Sequence, residues 1–478
     1  MGGSASGPGA ALRRRRAILQ RKNRRKQPCI SEWIRHSCES AAALFFPVFI
    51  FAFDFSFFGE SFFLPKTQKT PPRRGRAEQK GKNTMILQNL TGTNGEKFDL
   101  CVRDGKIFSK GLQLEAGPGE ETLDCRGLTA LPGFVDTHCH WRTPGFEYKE
   151  DITTGSQAAA AGGYTFVNLM PNTNPVCSSV AIANSVMQEA ERVGLCGCNQ
   201  TLSITKDFDG ETLDHLKTLP ATVRFVTEDG KGVQNNQTMA RAFAICQQKG
   251  ITIMSHAEDM QISKWDYRLA ENIETVRNLH LAEYYGTRLH FCHVSTKEAI
   301  EAIEASRWKG APVTCEVTPH HLWWTKDVCD YRVNPPIREQ ADVDALVEAI
   351  RLGAVDTIGT DHAPHTAEEK QNGAAGMVGL ETAFAICYTK LCLQCGLPLQ
   401  QLAELMSTNG AAILGLQNKG KLEIGYDADI ALVDLAEQWT VHNEALHSKS
   451  KNSPYEGVQL TGKVKYTFRN GRMTWKDQ

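Results

Sequence analysis

LPGFVDTHCHWRTPGFEYKEDITTGSQAAAAGGYTFVNLMPNTN, Leu131 to Asn174, is the stretch from which the rest of the chain is read. Its apolar opening runs through Val135-Asp136-Thr137 into His138-Cys139-His140. Side chains at i and i+2 of a strand share a face, so a strand here points both imidazoles the same way. Neutral imidazole persists near pH 7 and is the commonest metal ligand there. Arg142 follows, and Pro144-Gly145 turns the chain. A guanidinium beside two histidines points to an anionic substrate held in a fork near a Lewis acid. Taken alone, the pair is as readily two chance histidines on a half-buried strand.

Outward from this stretch, strand-length apolar runs alternate with helix-length segments. The runs lie near Phe134–His140, Thr165–Met170, Gly197–Ile204, Val223–Val226, Ile251–Ser255, Leu289–His293, Val313–Val317 and Thr357–Thr360. Helices are predicted over 151–162, 178–194, 236–248, 270–285, 296–308, 341–352 and 380–394. This α/β alternation predicts a (β/α)8 TIM-type barrel over 131–417. Short alternating runs in 85–130 and again in 418–478, separated by Gly and Asp-Gly turns, are too polar to close separate cores. They are expected to combine as the two parts of a small flanking β-sandwich.

A barrel of this kind carries its chemistry at the C-terminal ends of its strands. Residues of metal-ligand type collect there. His138 and His140 end the first run, Glu228-Asp229 the fourth, His256 the fifth, His293 the sixth and Asp361 the eighth, with His365 beyond it. Core packing does not place such residues at four or five strand ends of one barrel. His138, His140, His256, His293 and Asp361 supply five ligand side chains. Asp229 as a bridging carboxylate raises the bond count beyond one tetrahedral ion and suits a pair. All are N or O donors, consistent with catalytic zinc.

The composition is ordinary for a globular protein, at 41% hydrophobic and 22% charged residues. The net charge of −1 is unevenly split, +12 over residues 1–84 and −13 over 85–478. An acidic body argues against nucleic-acid binding. The cysteines fall without framework spacing, which points to reduced thiols and a cytoplasmic setting. Residues 1–84 differ from the rest: a basic stretch, then Ala41 to Phe63 with 10 of the 21 Phe. Ala41 to Phe53 is shorter than the roughly 20 residues a membrane span needs. A transit peptide fits the Arg-rich, acid-poor composition, and an extension outside the fold is the favoured reading.

The motifs GFVDTHCHWRTPGFEYKED, MPNTNP, SHAED, TPHHL, NPPIR, TDHAPH and GLET, with the tail KGKLEIGYDADIALVDL, resemble the dihydroorotases of the amidohydrolase superfamily, specifically the bacterial class with a separate catalytic chain. The resemblance covers essentially all of 85–478. It implies two zinc ions held by His138, His140, His256, His293 and Asp361. Asp229 takes the bridging position that many relatives give to a carboxylated lysine; Lys231 is the alternative. Arg142, Asn172 and His365 match positions that bind the substrate carboxylate, and Asn334 falls in the loop near the pyrimidine ring. The implied reaction is the reversible cyclisation of N-carbamoyl-L-aspartate to L-dihydroorotate and water, in de novo pyrimidine biosynthesis. A metal-bridging hydroxide attacks in the reverse direction, with Asp361 as general base and then acid. This sequence differs from the pattern at Trp141, at Thr143 and in the loop after Lys370.

Two rivals differ in class. Hydantoinases, dihydropyrimidinases and allantoinases are sister cyclic amidases, but most of their substrates carry no carboxylate to occupy an Arg–Asn pocket. A non-catalytic scaffold for aspartate transcarbamoylase would be expected to have lost ligands, and every expected ligand is present. The expected partners are therefore the small-molecule substrate, a further copy of the chain and, compatibly with activity, aspartate transcarbamoylase; neither nucleic acid nor membrane is expected.

Overall fold

The computed structural model describes residues 84–477, which belong to one compact unit, Glu78–Gln478. The expectation for 1–84 lies outside the described residues except at Thr84, which is the first residue of a strand. No helix among the described residues is long and apolar enough to cross a membrane.

Five strands lead into the barrel: β1 (Thr84–Thr91), β2 (Lys97–Arg103), β3 (Lys106–Gly111), β4 (Glu121–Asp124) and β5 (Thr129–Pro132). The barrel strands are β6 (Phe134–Cys139), β7 (Tyr164–Leu169), β8 (Gly197–Gln200), β9 (Leu202–Ser203), β10 (Phe225–Thr227), β11 (Thr252–Ser255), β12 (Leu289–Phe291), β13 (Val313–Val317) and β14 (Thr357–Ile358). All pair in parallel, in the orders β6-β7-β8 and β9 through β14. The expected single run 197–204 is split because Gln200 turns its side-chain amide onto the carbonyls of Leu169, Met170 and Thr201. The amide of Thr201 still bonds Leu169, which carries the sheet across the break. At the other seam Asp361 donates its amide to His138 O at 3.0 Å and His140 donates to His362 O at 2.9 Å. The first strand and the residues after the last are thus stitched together at the end that carries the histidines.

Helices cover the outside: Ile152–Ala161, Val180–Val193, Asn236–Lys249, Tyr267–Tyr285, Lys297–Trp308 and Gln340–Arg351. The first five begin on Asp151, Ser179, Asn235, Asp266 and Thr296, each side chain accepting from a first-turn amide. The run expected as one helix over 380–394 is α-helical at Ala383–Cys387 and π-helical from Tyr388 to Gln394. Inside the barrel, Val135, Met170, Phe225, Met254 and Cys292 pack against Ala411 and Leu414 of the helix Asn409–Leu414. This apolar floor leaves chemistry to the opposite end.

The two chain ends combine as expected, but as one hydrogen-bonded sheet. With β15 (Ile430–Thr440), β16 (Gln459–Arg469) and β17 (Arg472–Lys476), the order is β17-β16-β15-β5-β1-β2-β3, with β4 on β1. Lys106 of β3 also bridges to Asp427, just before β15, so the sheet rolls toward closure. Leu87, Leu90, Leu100, Ile107, Ile430 and Phe468 fill the space inside the roll.

One close contact ties this scaffold to the site. Trp141, 1% exposed between His140 and Arg142, lies against the helix Ile152–Ala161 at Gly155. A Cβ on Gly155 would meet the indole at 2.3 Å. Gly155→Ala is expected to destabilise the fold by roughly 1–3 kcal/mol through overpacking. Denaturant midpoints check this, and an unchanged midpoint would mean the indole can yield.

Candidate metal centre and active site

The site is assembled from the strand ends. Asp136, fully buried on β6, accepts from the amides of His138 (3.1 Å) and Thr360 (2.9 Å) and from the Thr360 hydroxyl (2.5 Å). Burial pushes its carboxyl up to about 7 against those donors. It holds the first and last strand ends in register. Arg142, His293 and Asp361 all have left-handed backbone conformations, with φ of 58°, 38° and 47°. Such conformations cost non-glycine residues about 1–2 kcal/mol each, so their aim is imposed by the surrounding fold.

The histidines and carboxylates converge. His138 Nε2 lies 3.3 Å from Asp229 Oδ1 and 3.5 Å from Asp361 Oδ1. His140 Nε2 lies 3.2 Å from Asp361 Oδ1 and 3.5 Å from Asp229 Oδ2. His293 Nε2 and His256 Nδ1 stand 3.9 and 3.7 Å from Asp229 Oδ1. Three triads among the described residues have ligand atoms within 4.8 Å of one another, His138–Asp229–His293, His138–His140–Asp361 and His138–Cys292–Glu316. His256 joins through its Nδ1, 2.9 Å from His293 Nε2. Lys231 points elsewhere, its ammonium 5.6 Å from the Phe208 ring.

The donor set fits divalent metal. His138 Nε2 and Asp229 Oδ1 are buried without a hydrogen-bond partner, a costly state for polar atoms that an ion between them would relieve. Burial works against every charge here. Even so, the histidines around Asp229 and Asp361 hold both carboxyls below the usual range. Both therefore remain anionic, the form that binds metal.

Other groups orient the cluster. Glu316, fully buried on β13, accepts from His138 Nδ1 at 3.0 Å, His290 Nε2 at 3.1 Å and the His293 amide at 3.3 Å, and from the Thr137 hydroxyl. A ligating histidine is commonly fixed this way through its other nitrogen. Asn172 takes that part for His140, its Oδ1 2.8 Å from His140 Nδ1, while its Nδ2 donates to Asp229 Oδ2 at 3.2 Å. The amide expected on the substrate carboxylate is thus engaged with His140 and Asp229. Glu258 stands 3.0 Å from His256 Nε2 and accepts from Asn334 Nδ2 at 2.8 Å. Sequence reasoning passed over Glu316, whose one signal is a charged residue in an otherwise uncharged strand, VTCEV. Glu228, next to Asp229, is turned away onto the amide and hydroxyl of Thr205. His320 and His321 lie beside the cluster, with His321 held by Thr318 and the Pro335 carbonyl.

Arg142 is only 7% exposed, and no carboxylate among the described residues forms a salt bridge with it. Its Nε donates to Pro364 O at 3.1 Å and its Nη2 lies 3.3 Å from His365 Nε2. Burial, then Arg142 and Lys149, push His365 down to about 3, so its ring is neutral and can accept. The loop after Lys370 is fastened by that lysine, which donates to the carbonyls of Arg332, Ala374 and Gly376 at 2.7–2.9 Å.

Residues 129–474 match the Amidohydrolase family. The chain is 45% identical over 397 residues to a dihydroorotase of Clostridium botulinum (strain Eklund 17B / Type B), spanning 83% of this chain and 98% of that one. A dihydroorotase of Aquifex aeolicus (strain VF5) is 37% identical over 422 residues, 83% of this chain and 99% of its own. Among solved structures, a D-hydantoinase superposes with TM-score 0.73 at 22% identity, covering 82% of this chain and 95% of that one. The L-hydantoinase (dihydropyrimidinase) of Arthrobacter aurescens does so with TM-score 0.73 at 25% identity, covering 81% and 95%. These likenesses give the same barrel fold.

Proposed function

The chain belongs to the dihydroorotases of the amidohydrolase family, and on that footing we propose that it interconverts N-carbamoyl-L-aspartate and L-dihydroorotate in pyrimidine biosynthesis. The observation that carries the reading is the buried Arg142 guanidinium, without a carboxylate salt-bridge partner among the described residues, two positions from His140. A dihydroorotate carboxylate would supply the missing anion. Hydantoin and dihydrouracil have none to offer.

His138, His140, His256, His293, Asp229 and Asp361 would hold two zinc ions. When bound, the ions would acidify water and polarise the ring carbonyl. Arg142, with His365 as acceptor beside it, seats the free carboxylate and thereby fixes the ring. In ring opening, Asp361 takes the proton of the attacking water as its oxygen bonds to the carbonyl carbon. It returns that proton to the ring nitrogen as the carbon–nitrogen bond breaks. In ring closure the same carboxyl runs the transfers backward. Asn172 keeps His140 and Asp229 aimed, and Asn334 with Glu258 does so for His256. Residues 85–130 and 418–478 form the flanking part and 131–417 the catalytic barrel. Cytoplasmic location, and aspartate transcarbamoylase as a partner, belong to the same reading.

A substrate panel tests it. Zinc-supplied protein is expected to turn over dihydroorotate and N-carbamoyl-L-aspartate, with hydantoin, dihydrouracil and allantoin far slower. Preference for hydantoin would move the chain to the sister amidases. Arg142→Lys keeps the charge and loses the fork. It is expected to lower kcat/KM roughly 10–100-fold, mainly through KM, as loss of a charged hydrogen bond worth about 1.5–3 kcal/mol requires. An unchanged KM would remove Arg142 from the carboxylate site.

A further inference from the structure

Lys370 joins two stretches of chain that meet beside Arg142. It lies near the end of the short helix Ala367–Gln371, half-buried, with its ammonium 4.0 Å from the centroid of the Tyr331 ring. An ammonium has three N–H donors and no acceptor. Here the three meet three backbone carbonyls: Arg332 O at 2.7 Å, Ala374 O at 2.9 Å and Gly376 O at 2.9 Å. The Arg332 carbonyl also accepts from the Gly376 amide at 3.1 Å. Gly376 O in turn accepts from Asn452 Nδ2 at 3.1 Å, and Asn452 Oδ1 accepts from the His365 amide at 3.0 Å. Gly376 is pressed against that histidine. A Cβ there would meet the Ala363 carbonyl at 2.7 Å and His365 Cδ2 at 3.0 Å. One side of the joint therefore ends on His365, 3.3 Å from Arg142, and the other on Arg332, two positions before Asn334.

We propose, on the footing that dihydroorotate is the substrate, that Lys370 is a positioning residue: its ammonium latches the stretch 371–379 to the stretch 331–337, and the closed latch keeps His365 beside Arg142 and Asn334 on Glu258. The latch depends on charge. A neutral amine has two N–H groups, so one of the three carbonyls loses its donor, and the remaining bonds drop to roughly half their charge-assisted strength. Burial, then the positive charge of Arg332, push Lys370 down to about 8. No carboxylate opposes them. Glu368 is exposed, Glu369 is held by Lys149 at 2.8 Å and by the Tyr148 hydroxyl at 2.9 Å, and no salt bridge to Lys370 exists among the described residues. The stretch 371–379 has no charged residue, and Lys451, next to Asn452, donates to the Glu444 carbonyl at 2.6 Å. Burial pushes the Tyr331 hydroxyl up to about 12, so that ring stays neutral where Lys370 titrates. The latch is closed below a pH of about 8 and loosens as the pH rises through it.

Ring opening of dihydroorotate by the zinc-loaded full chain, followed across this pH range, tests the latch together with amide hydrogen exchange. Wild-type KM is expected to rise roughly 10-fold on the alkaline side, as loss of one charged hydrogen bond requires. Lys370→Met is expected to show that raised KM at every pH, with kcat within about threefold of wild type. Lys370→Arg stays charged throughout, so its KM is expected to be flat across the range. A merely structural lysine would not abolish the alkaline rise in both variants. At one neutral pH, Lys370→Met is also expected to speed exchange in 331–337 and 371–379 while the barrel strands keep their protection. Exchange needs no turnover, so a chain that opens hydantoin instead of dihydroorotate refutes the substrate while exchange still decides the latch. A wild-type KM that stays flat overturns the proposal. So does an alkaline rise that persists in Lys370→Arg, or unchanged exchange of both stretches in Lys370→Met.

Discussion

Asp361→Asn is expected to lower kcat for both directions of the reaction by about 10²–10⁴-fold, the usual worth of a positioned general acid–base group. The substitution preserves shape but removes the proton acceptor. In the structure the Asp361 carboxylate has His140 Nε2 at 3.2 Å and His138 Nε2 at 3.5 Å, and those histidines overcome burial to keep it ionised. An amide there can neither take a proton from water nor return one to a ring nitrogen. KM is expected to move little, because Arg142 holds the carboxylate end. Metal content measured on the same sample separates loss of the proton carrier from loss of a ligand. A variant with metal bound and near-normal kcat would remove Asp361 from its role.

The second large effect is expected at Glu316. Its carboxylate accepts from four donors, on Thr137, His138, His290 and the His293 backbone. Glutamine has one acceptor and an NH2 group in the same space, so at least one buried donor loses its acceptor, at about 1–3 kcal/mol. The His138 Nδ1–H then competes for a single oxygen, and the ring can flip to the tautomer that protonates Nε2. That nitrogen is the one facing Asp229 and Asp361. Glu316→Gln is therefore expected to weaken metal binding roughly 10–100-fold, read by competition with a chromogenic chelator, and to lower thermal stability. Glu316→Asp, which keeps an acceptor pair, should recover part of both. Wild-type metal affinity in the glutamine variant would reduce Glu316 to a packing residue.

The barrel was legible because short apolar runs of strand length alternate with segments of helix length. The metal-type residues were legible because they sit where such runs end. What escaped depends on contacts between distant positions. The strand VTCEV does not say whether Glu316 meets solvent or His138, 178 positions away. MPNTNP offers Asn172 for the substrate, whereas its amide joins His140 to Asp229, 57 positions away. Gln200 looks like an ordinary strand residue until its side chain competes for the carbonyls of Leu169 and Met170 and splits the run. Alternation in the two chain ends gives strands without naming their neighbours, so one rolled sheet and a two-sheet sandwich look alike at that level.

The most direct measurement is the turnover of N-carbamoyl-L-aspartate by the full chain before chelation, after removal of metal, and after zinc is returned. Dihydroorotate formation that vanishes with the metal and returns with about two zinc ions per chain is the predicted result. Folded, zinc-loaded protein that forms no dihydroorotate in either direction would contradict the account.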